Sequence, residues 1–235
     1  MFIAFSFQQL LKIISHKPMD AYINCYLLAG LVCGWGYLVS EVYVDPTAIV
    51  DDNVCLGDST KVWHFVHIMN DAKIGKQCII ADYVYVGRNV KIGDNVKLEN
   101  RATVYEGVTI EDDVFVGPHV TFTNDPYPRS FNKDWKILST YVKKGSSIGA
   151  RTVVVCGVTI GEYALVGSGS VVTQNVPAHA LVYGNPARVK GFVCRCGRKI
   201  ETKKKLADKV TMTCPVCNEK YEIPAEDYAK LDKEE

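Results

Sequence analysis

The chain has 235 residues, of which 48% are hydrophobic and 23% charged, a composition that allows a sizeable core and excludes wholesale disorder. Its 27 Lys and Arg residues balance 26 Asp and Glu, so the net charge of +1 indicates no nucleic-acid partner, and an anionic ligand would need a local basic site. Nine cysteines, an odd number with one tight C-terminal cluster, indicate a reduced, cytoplasmic protein with a metal site rather than a disulfide framework.

Residues 1–41 form an apolar N-terminal extension. Within it, the segment from Ala21 to Ser40 has no charged residue and is long enough to cross a bilayer, and the upstream Lys12 and Lys17 would favour a cytoplasmic N-terminus. Three interpretations stay open: a membrane anchor, an apolar segment packed on the body of the protein, and translated sequence upstream of the natural start. We expect a cytoplasmic enzyme, with membrane association only through residues 21–40.

A six-residue repeat dominates residues 42–190. Every sixth residue from Val44 to Phe122 is apolar, the pattern resumes from Val142 to Val172, and Gly often follows the apolar residue. A period of six does not fit a helix, but it suits one short strand plus one corner, with the aliphatic residue inside and a Gly or Asn relieving the corner backbone. Stacked turns would bury a continuous aliphatic column, so the repeat predicts an all-β, single-stranded parallel β-helix.

An inserted loop, residues 123–141, interrupts the repeat. It carries two prolines, several aromatic residues and the basic side chains Arg129, Lys133 and Lys136. Loops of this length in compact domains are usually functional or disordered, and the aromatic content argues against disorder. We expect the loop to leave the β-helix at one corner and to cover a cleft on a neighbouring subunit.

Four cysteines in two pairs characterise the C-terminal module, residues 191–235. The predicted metal ligands are Cys194, Cys196, Cys214 and Cys217. Four thiolates in two knuckles predict a closed, structural Zn²⁺ site in a small zinc ribbon, with no open position for catalysis. The first knuckle is one residue shorter than usual, so redox-active or spare thiols are the alternative.

The repeat resembles that of the hexapeptide-repeat acyltransferases. This resemblance implies a left-handed β-helix with three hexapeptides per coil, a homotrimer, and active sites between subunits. The stretches VWHFVHI (62–68), VFVGPHVTFTNDPYPRS (114–130), YVKKGSSIG (141–149) and YGNPAR (183–188) are similar to those of nucleotide-sugar N-acetyltransferases. The resemblance begins near Val42, which is the reason for the upstream-sequence interpretation of the extension.

The resemblance implies acetyl-CoA as co-substrate and a nucleotide sugar of surface-glycan biosynthesis as acceptor. The expected acceptor is the 3-amino group of UDP-2-acetamido-3-amino-2,3-dideoxyglucuronate, and the alternative is a dTDP-3-amino-deoxyhexose. By the same resemblance, Asn124 contacts the sugar or the reacting centre, and Arg129 binds the sugar carboxylate or the diphosphate. The alternative for Asn124 is a turn cap.

Acetyl transfer needs a neutral amine, a thioester carbonyl within reach and a donor for the developing charge. His67 is the candidate base because its ordinary pKa lies near neutrality, although related enzymes can lack a dedicated base. A purely structural role is its alternative. Further candidate substrate-binding residues are Asn100, Tyr105 and Glu106.

Acetyl-CoA is expected beside the later coils. Small residues would let the pantetheine arm approach the backbone, and basic side chains would meet the CoA phosphates. The pantetheine candidates are Gly157, Ala164 and Gly167. The phosphate candidates are Lys143, Lys144, Arg188 and Lys190.

Other functions compete with this one. A metalloenzyme of the γ-carbonic anhydrase type would need three histidines that converge across a subunit interface, and the spacing of His64, His67 and His119 does not fit. A non-enzymatic β-helix scaffold would have no use for the loop motif. Serine and maltose O-acetyltransferases use a histidine in a different loop setting.

Overall fold

The structure, a computed structural model, describes residues 41–231. The predicted apolar extension, including the candidate membrane segment 21–40, lies outside the described residues. Among the helices within residues 41–231, none is long and apolar enough to cross a membrane.

Three sheets, here called A, B and C, form the body of the protein, and all their strand pairs are parallel except the last pair of sheet A, Ala180–Gly184 with Ala187–Phe192. Sheet A contains β1 (Tyr43–Val44), β4 (Lys61–Val62), β7 (Ile79–Ile80), β10 (Lys97–Leu98), β13 (Phe115–Val116), β16 (Ser147–Ile148), β19 (Leu165–Val166), β21 (Ala180–Gly184) and β22 (Ala187–Phe192). Sheet B contains β2 (Ile49–Val50), β5 (His67–Ile68), β8 (Tyr85–Val86), β11 (Thr103–Val104), β14 (Thr121–Phe122), β17 (Val153–Val154) and β20 (Val171–Val172). Sheet C contains β3 (Cys55–Leu56), β6 (Lys73–Ile74), β9 (Lys91–Ile92), β12 (Val108–Ile110), β15 (Thr140–Val142) and β18 (Thr159–Ile160).

One coil of the β-helix takes 18 residues, because Tyr43 pairs with Lys61 and Lys61 pairs with Ile79. Each coil therefore contains three hexapeptides, one strand from each sheet, as predicted. The fold is a left-handed parallel β-helix of hexapeptide repeats.

The core is the column of aliphatic side chains inside the three sheets. In sheet A, the fully buried members are Val62, Ile80, Leu98, Val116, Ile148 and Val166. Burying each such side chain contributes up to about 1.5–3 kcal/mol, so the column accounts for the stability of the stack.

The corner backbone corrects one prediction. At most corners of the β-helix a left-handed φ falls on the third residue after the inward one, and Asn53 and Asn89 take this position with φ of 59° and 58°. Asn therefore does take the left-handed corner conformation, as predicted. The glycines directly after the inward residues do not take it. Gly57 is required instead by close approach of the coils, because a Cβ on it would lie 2.5 Å from the carbonyl carbon of Gly75.

Asparagine substitutions separate these two glycine roles. Gly57→Asn should lower the free energy of unfolding by about 3 kcal/mol or more, because the adjacent coils would have to move apart. Gly169→Asn should cost under about 1 kcal/mol, since Gly169 has a φ of +73° with open space around it and Asn tolerates this conformation. Urea denaturation measures both values, and equal losses would contradict the close-approach explanation.

The inserted loop starts after Phe122 and ends at residue 139, two residues earlier than predicted. Thr140 and Tyr141 already belong to β15, where they pair with Val108 and Thr109 of β12. Sheet register therefore resumes before the apolar repeat does.

The C-terminal module is sheet D, an antiparallel sheet of β23 (Glu201–Lys205), β24 (Lys209–Thr213) and β25 (Lys220–Pro224), followed by helix α1 (Ala225–Tyr228). It joins the β-helix through β22, which runs across the predicted boundary at residue 190 and pairs with β21. The ring of His179 lies 5.3 Å from that of Tyr163 in the β-helix and 4.6 Å from that of Tyr221 in sheet D. The module therefore packs on the C-terminal end of the β-helix.

Candidate functional site

The three corners of the β-helix organise the predicted site residues. Corner AB leads from a strand of sheet A to the next strand in sheet B, and corners BC and CA follow in the same way. Corner BC carries Tyr105, Glu106, Asn124 and Gly157, together with the inserted loop. Corner AB carries Asn100 and Gly167, and corner CA carries Lys143.

Corner BC brings together the largest group of predicted residues. Thr103 pairs with Thr121, so Tyr105 and Glu106 lie one coil before Thr123 and Asn124, as expected from the 18-residue spacing. Glu106 Oε1 accepts a hydrogen bond of 2.9 Å from Asn89 Nδ2, which fixes this carboxylate at the corner.

The base of the inserted loop is held at the same corner. The carbonyl oxygen of Asn124 accepts a 3.1 Å hydrogen bond from the Leu138 N–H and closes the loop. Thr123 Oγ1 accepts a 3.0 Å hydrogen bond from the Cys156 N–H on the following coil. The half-buried Asn124 side chain therefore stands on a rigid base, whereas Arg129 lies exposed in the loop and donates to the Pro128 carbonyl.

His67 is not brought to Asn124 within one chain. It stands on the outer face of sheet B, three strands before Thr121, a distance of about 14 Å at normal strand spacing. Its Nε2 lies 3.4 Å from Asp51 Oδ1, and its ring contacts Tyr85 edge-on. Direct proton transfer between His67 and an amine at Asn124 of the same chain is therefore out of reach.

The three predicted pantetheine contacts differ in how accessible the structure leaves them. The structure does not support Ala164, because it is buried, its N–H donates to the Gly161 carbonyl and its carbonyl accepts from Ser147. A glycine at position 167 is required by packing within the chain, since a Cβ there would lie 2.8 Å from Tyr183 Cβ. Gly157 is exposed at corner BC, with its N–H donated to Thr140 Oγ1 at 3.2 Å.

The predicted phosphate contacts are dispersed. Lys143 Nζ donates a 2.7 Å hydrogen bond to Glu111, which raises the pKa of Lys143 and lowers that of Glu111. Lys144 Nζ lies 3.6 Å from Asp113 Oδ2, so both lysines are locally neutralised. Arg188 is exposed on β22, and Lys190 Nζ lies 5.8 Å from the centre of the Tyr183 ring.

Within one chain, the histidines of the carbonic-anhydrase alternative do not converge on a metal site. His64 Nδ1 lies 3.1 Å from Asp82 Oδ1 and its Nε2 lies 3.3 Å from Asp45 Oδ2, so carboxylates engage both ring nitrogens. Hydrogen bonds from Thr47 lower the pKa of Asp45 and keep it ionised beside this histidine. His67 lies on sheet B, away from this corner.

The four C-terminal cysteines converge as predicted. Their Sγ atoms all lie within 4.8 Å of one another, with Cys194–Cys217 at 3.4 Å and Cys196–Cys214 at 3.7 Å. A tetrahedral zinc ion with bonds of about 2.3 Å separates its sulfur ligands by about 3.8 Å. The donor set and its spacing therefore fit zinc.

Corner AB holds a row of residues that was not predicted from the sequence. We call it the AB row: Phe65, Tyr83, Arg101, His119 and Arg151, the third residues after successive inward positions. The Phe65 and Tyr83 rings stack at 5.0 Å, and the Arg101 guanidinium lies 5.1 Å from the centre of the Tyr83 ring. Reading the sequence at a period of 18 from Phe65 would have revealed the first four members.

Comparison with known proteins agrees with this architecture. The model of the bacterial transferase hexapeptide (six repeats) matches residues 53–88, 89–124 and 139–174. The chain is 57% identical over 165 residues to dTDP-3-amino-3,6-dideoxy-alpha-D-galactopyranose 3-N-acetyltransferase of Aneurinibacillus thermoaerophilus, covering 68% of this chain and 82% of that relative.

Two solved structures are also similar. GDP-perosamine N-acetyltransferase from Caulobacter crescentus, with CoA and GDP-perosamine, is 24% identical with a TM-score of 0.46, covering 65% of this chain and 58% of that chain. The N-acyltransferase AntD from Bacillus cereus is 18% identical with a TM-score of 0.48, covering 82% and 91%.

Proposed function

Because the chain belongs to the hexapeptide-repeat family of sugar N-acetyltransferases, we propose that it transfers acetyl from acetyl-CoA to the 3-amino group of a nucleotide-linked amino sugar. The pathway expected from the sequence, surface-glycan biosynthesis, stays part of this proposal. The main support for this proposal is the arrangement at corner BC. There Asn124 lies at the hydrogen-bonded base of the inserted loop, one coil after Glu106.

The acceptor we favour is a dTDP-linked 3-amino-3,6-dideoxyhexose. The 57% identity to a relative named for such a substrate supports this choice over the UDP-linked uronate, which reverses the order predicted from the sequence. A 6-deoxy sugar has no carboxylate, so the role left for Arg129 is an anion of the nucleotide diphosphate or of CoA.

In the reaction, the neutral 3-amino nitrogen attacks the thioester carbonyl carbon, forming the C–N bond as the C–S bond breaks. The amine proton is lost and the departing thiolate gains one, so the products are the amide and free CoA thiol. The Asn124 amide would hold the amine or donate to the carbonyl oxygen as negative charge develops. Tyr105 and Glu106 would orient the sugar, and no step is assigned to His67.

A homotrimer fits the outer surface of the β-helix. Sheet B has no charged lysine or arginine among its outward residues, which are Ile49, His67, Tyr85, Thr103, Thr121, Val153 and Val171. The outer faces of sheets A and C carry lysines, including Lys61 and Lys73. Interface cores are depleted of charge, so we place sheet B of each copy around the threefold axis. Corner AB of one copy then meets corner BC of the next.

The four-cysteine cluster would hold a structural zinc ion, bound by Cys194, Cys196, Cys214 and Cys217. Four thiolates close the coordination shell, so the ion would order sheet D and take no part in acetyl transfer. For acetyl-CoA, Gly157 at corner BC is the contact we retain, with Lys143, Arg188 and Lys190 as candidates for its phosphates.

A thiol-release assay with acetyl-CoA tests the acceptor. We expect turnover with dTDP-3-amino-3,6-dideoxygalactose at a kcat/KM at least about a hundredfold above that for simple amino sugars, because the nucleotide supplies binding energy. Preference for UDP-2-acetamido-3-amino-2,3-dideoxyglucuronate would restore the acceptor first predicted from the sequence. Absence of turnover with every nucleotide sugar would overturn the proposed function.

A further inference from the structure

Corner BC places a cation, a carboxylate and an amide on three successive coils. Arg88, Glu106 and Asn124 each take the second position after an inward residue, and the register of β8, β11 and β14 aligns them in one column. Neighbouring members of this column are one strand spacing, about 4.8 Å, apart. At that separation the Asn124 amide could donate a hydrogen bond to the Glu106 carboxylate. The two half-buried side chains nevertheless form no such bond.

The Glu106 carboxylate is held toward the preceding coil instead. Its Oε1 accepts the 2.9 Å hydrogen bond from Asn89 Nδ2, and its Oε2 lies 3.9 Å from Nε of the exposed Arg88 guanidinium. Both oxygens are therefore engaged on the side away from Asn124. Within residues 41–231 the Asn124 side chain forms no hydrogen bond, so its amide remains free for a ligand.

The inserted loop explains why Asn89 contacts Glu106. One coil after Asn89, the aligned residue is Gly107, whose φ is +95°. A Cβ at this position would overlap with the Ile137 side chain of the loop, so the packing of the loop excludes a side chain there. Asn89 therefore finds no partner in its own column, and its amide binds the Glu106 carboxylate in the neighbouring one.

We propose that Asn89 and Arg88 are positioning residues for the transfer reaction. They hold the Glu106 carboxylate away from the Asn124 amide, so that both groups can contact the sugar. Each carboxylate oxygen keeps a second lone pair for that purpose. Without the two residues, Glu106 would turn to the next coil and accept a hydrogen bond from Asn124 Nδ2, which would occupy the amide that the reaction needs. This inference rests on the proposed function and deepens it.

Replacing Asn89 by glycine tests the positioning role. Glycine adopts a left-handed φ without steric cost, so the corner keeps its backbone and loses only the amide. We expect kcat/KM for the nucleotide sugar to fall about tenfold or more, because misplaced groups at a reacting centre commonly cost one to two orders of magnitude. KM for acetyl-CoA should change little. Steady-state thiol release measures both values.

Asn95→Gly is the matched control at corner CA. Asn95 has a φ of 53°, and its Nδ2 donates a 2.8 Å hydrogen bond to Asp113 Oδ1 on the following coil. This variant loses the same amide, from the same backbone conformation, and the same kind of bond between coils. Its melting temperature should therefore fall as far as that of Asn89→Gly, while its kcat/KM stays within about twofold of wild type. An equal loss of kcat/KM in both variants would reduce Asn89 to a structural residue and overturn the proposal.

A double-mutant cycle shows whether Asn89 acts through Glu106. Adding Asn89→Gly to a Glu106→Ala variant should change kcat/KM by less than about twofold, because the group that Asn89 positions is already absent. Full additivity of the two effects would mean that Asn89 acts by another route.

Crystal structures separate this inference from the proposed function. In the Arg88→Ala/Asn89→Gly double variant, which lacks both contacts, a Glu106 oxygen should lie within about 3.2 Å of Asn124 Nδ2. A carboxylate that stays away from Asn124 overturns the positioning role, whatever the activity of the protein. A carboxylate that turns to Asn124, in a protein that acetylates no nucleotide sugar, would support the positioning role while the proposed function fails.

Discussion

Replacing Asn124 by alanine is expected to lower kcat about 10²–10³-fold, the usual effect of removing a group that stabilises the transition state of acyl transfer. The carbonyl oxygen of Asn124, not its side chain, closes the base of the loop at 3.1 Å, so alanine should leave the loop in place. Steady-state thiol release measures the change. KM for acetyl-CoA should change little, because the contact acts at the reacting centre.

Asn132→Ala is the matched control, since it removes an amide from the same loop. Asn132 Oδ1 accepts a hydrogen bond only from the nearby Asp134 N–H, at 3.0 Å, so its loss should change kcat less than about threefold. Equal activity of the Asn124 and Asn132 variants, with unchanged melting temperatures, would reduce Asn124 to a turn residue.

Removal of the proposed C-terminal zinc site should have the largest effect on stability. Cys194 and Cys214 are buried in the four-cysteine cluster, and Cys214→Ser should abolish the proposed zinc binding and unfold sheet D. Structural zinc contributes about 10–16 kcal/mol of apparent binding free energy, as much as the whole stability of many domains. Elemental analysis should give about one zinc per wild-type chain, and limited proteolysis should cleave the variant within residues 193–231.

The β-helix should survive this substitution, because its aliphatic column is independent of the metal. The contact of His179 with Tyr221 would be lost, so we expect the melting temperature of the last coil to fall while acetyl transfer at corner BC persists. Cys55→Ser, a thiol on sheet C, is the control and should keep both zinc and protease resistance. A zinc-free wild type with the same protease resistance would favour spare or redox-active thiols.

The repeated hexapeptide alone determined most of the fold. An aliphatic residue at every sixth position can be buried only if each hexapeptide supplies one strand and one corner, and each coil then contacts only its neighbours. The convergence of the four cysteines could also be predicted from the sequence, because two closely spaced Cys pairs are typical of one shared ligand set. The 18-residue spacing also placed Tyr105 and Glu106 beside Thr123 and Asn124 correctly.

The residue roles and distances that arise from contacts between coils could be determined only from the tertiary structure. The role of Gly57 follows from the approach of Gly75 on the next coil, and the burial of Ala164 from its inward position. Asn100 and Asn124 lie at opposite edges of sheet B, and His67 stands about 14 Å from the loop by strand spacing. A local repeat specifies which side chains point inward, but distances across a face arise only when the coils stack.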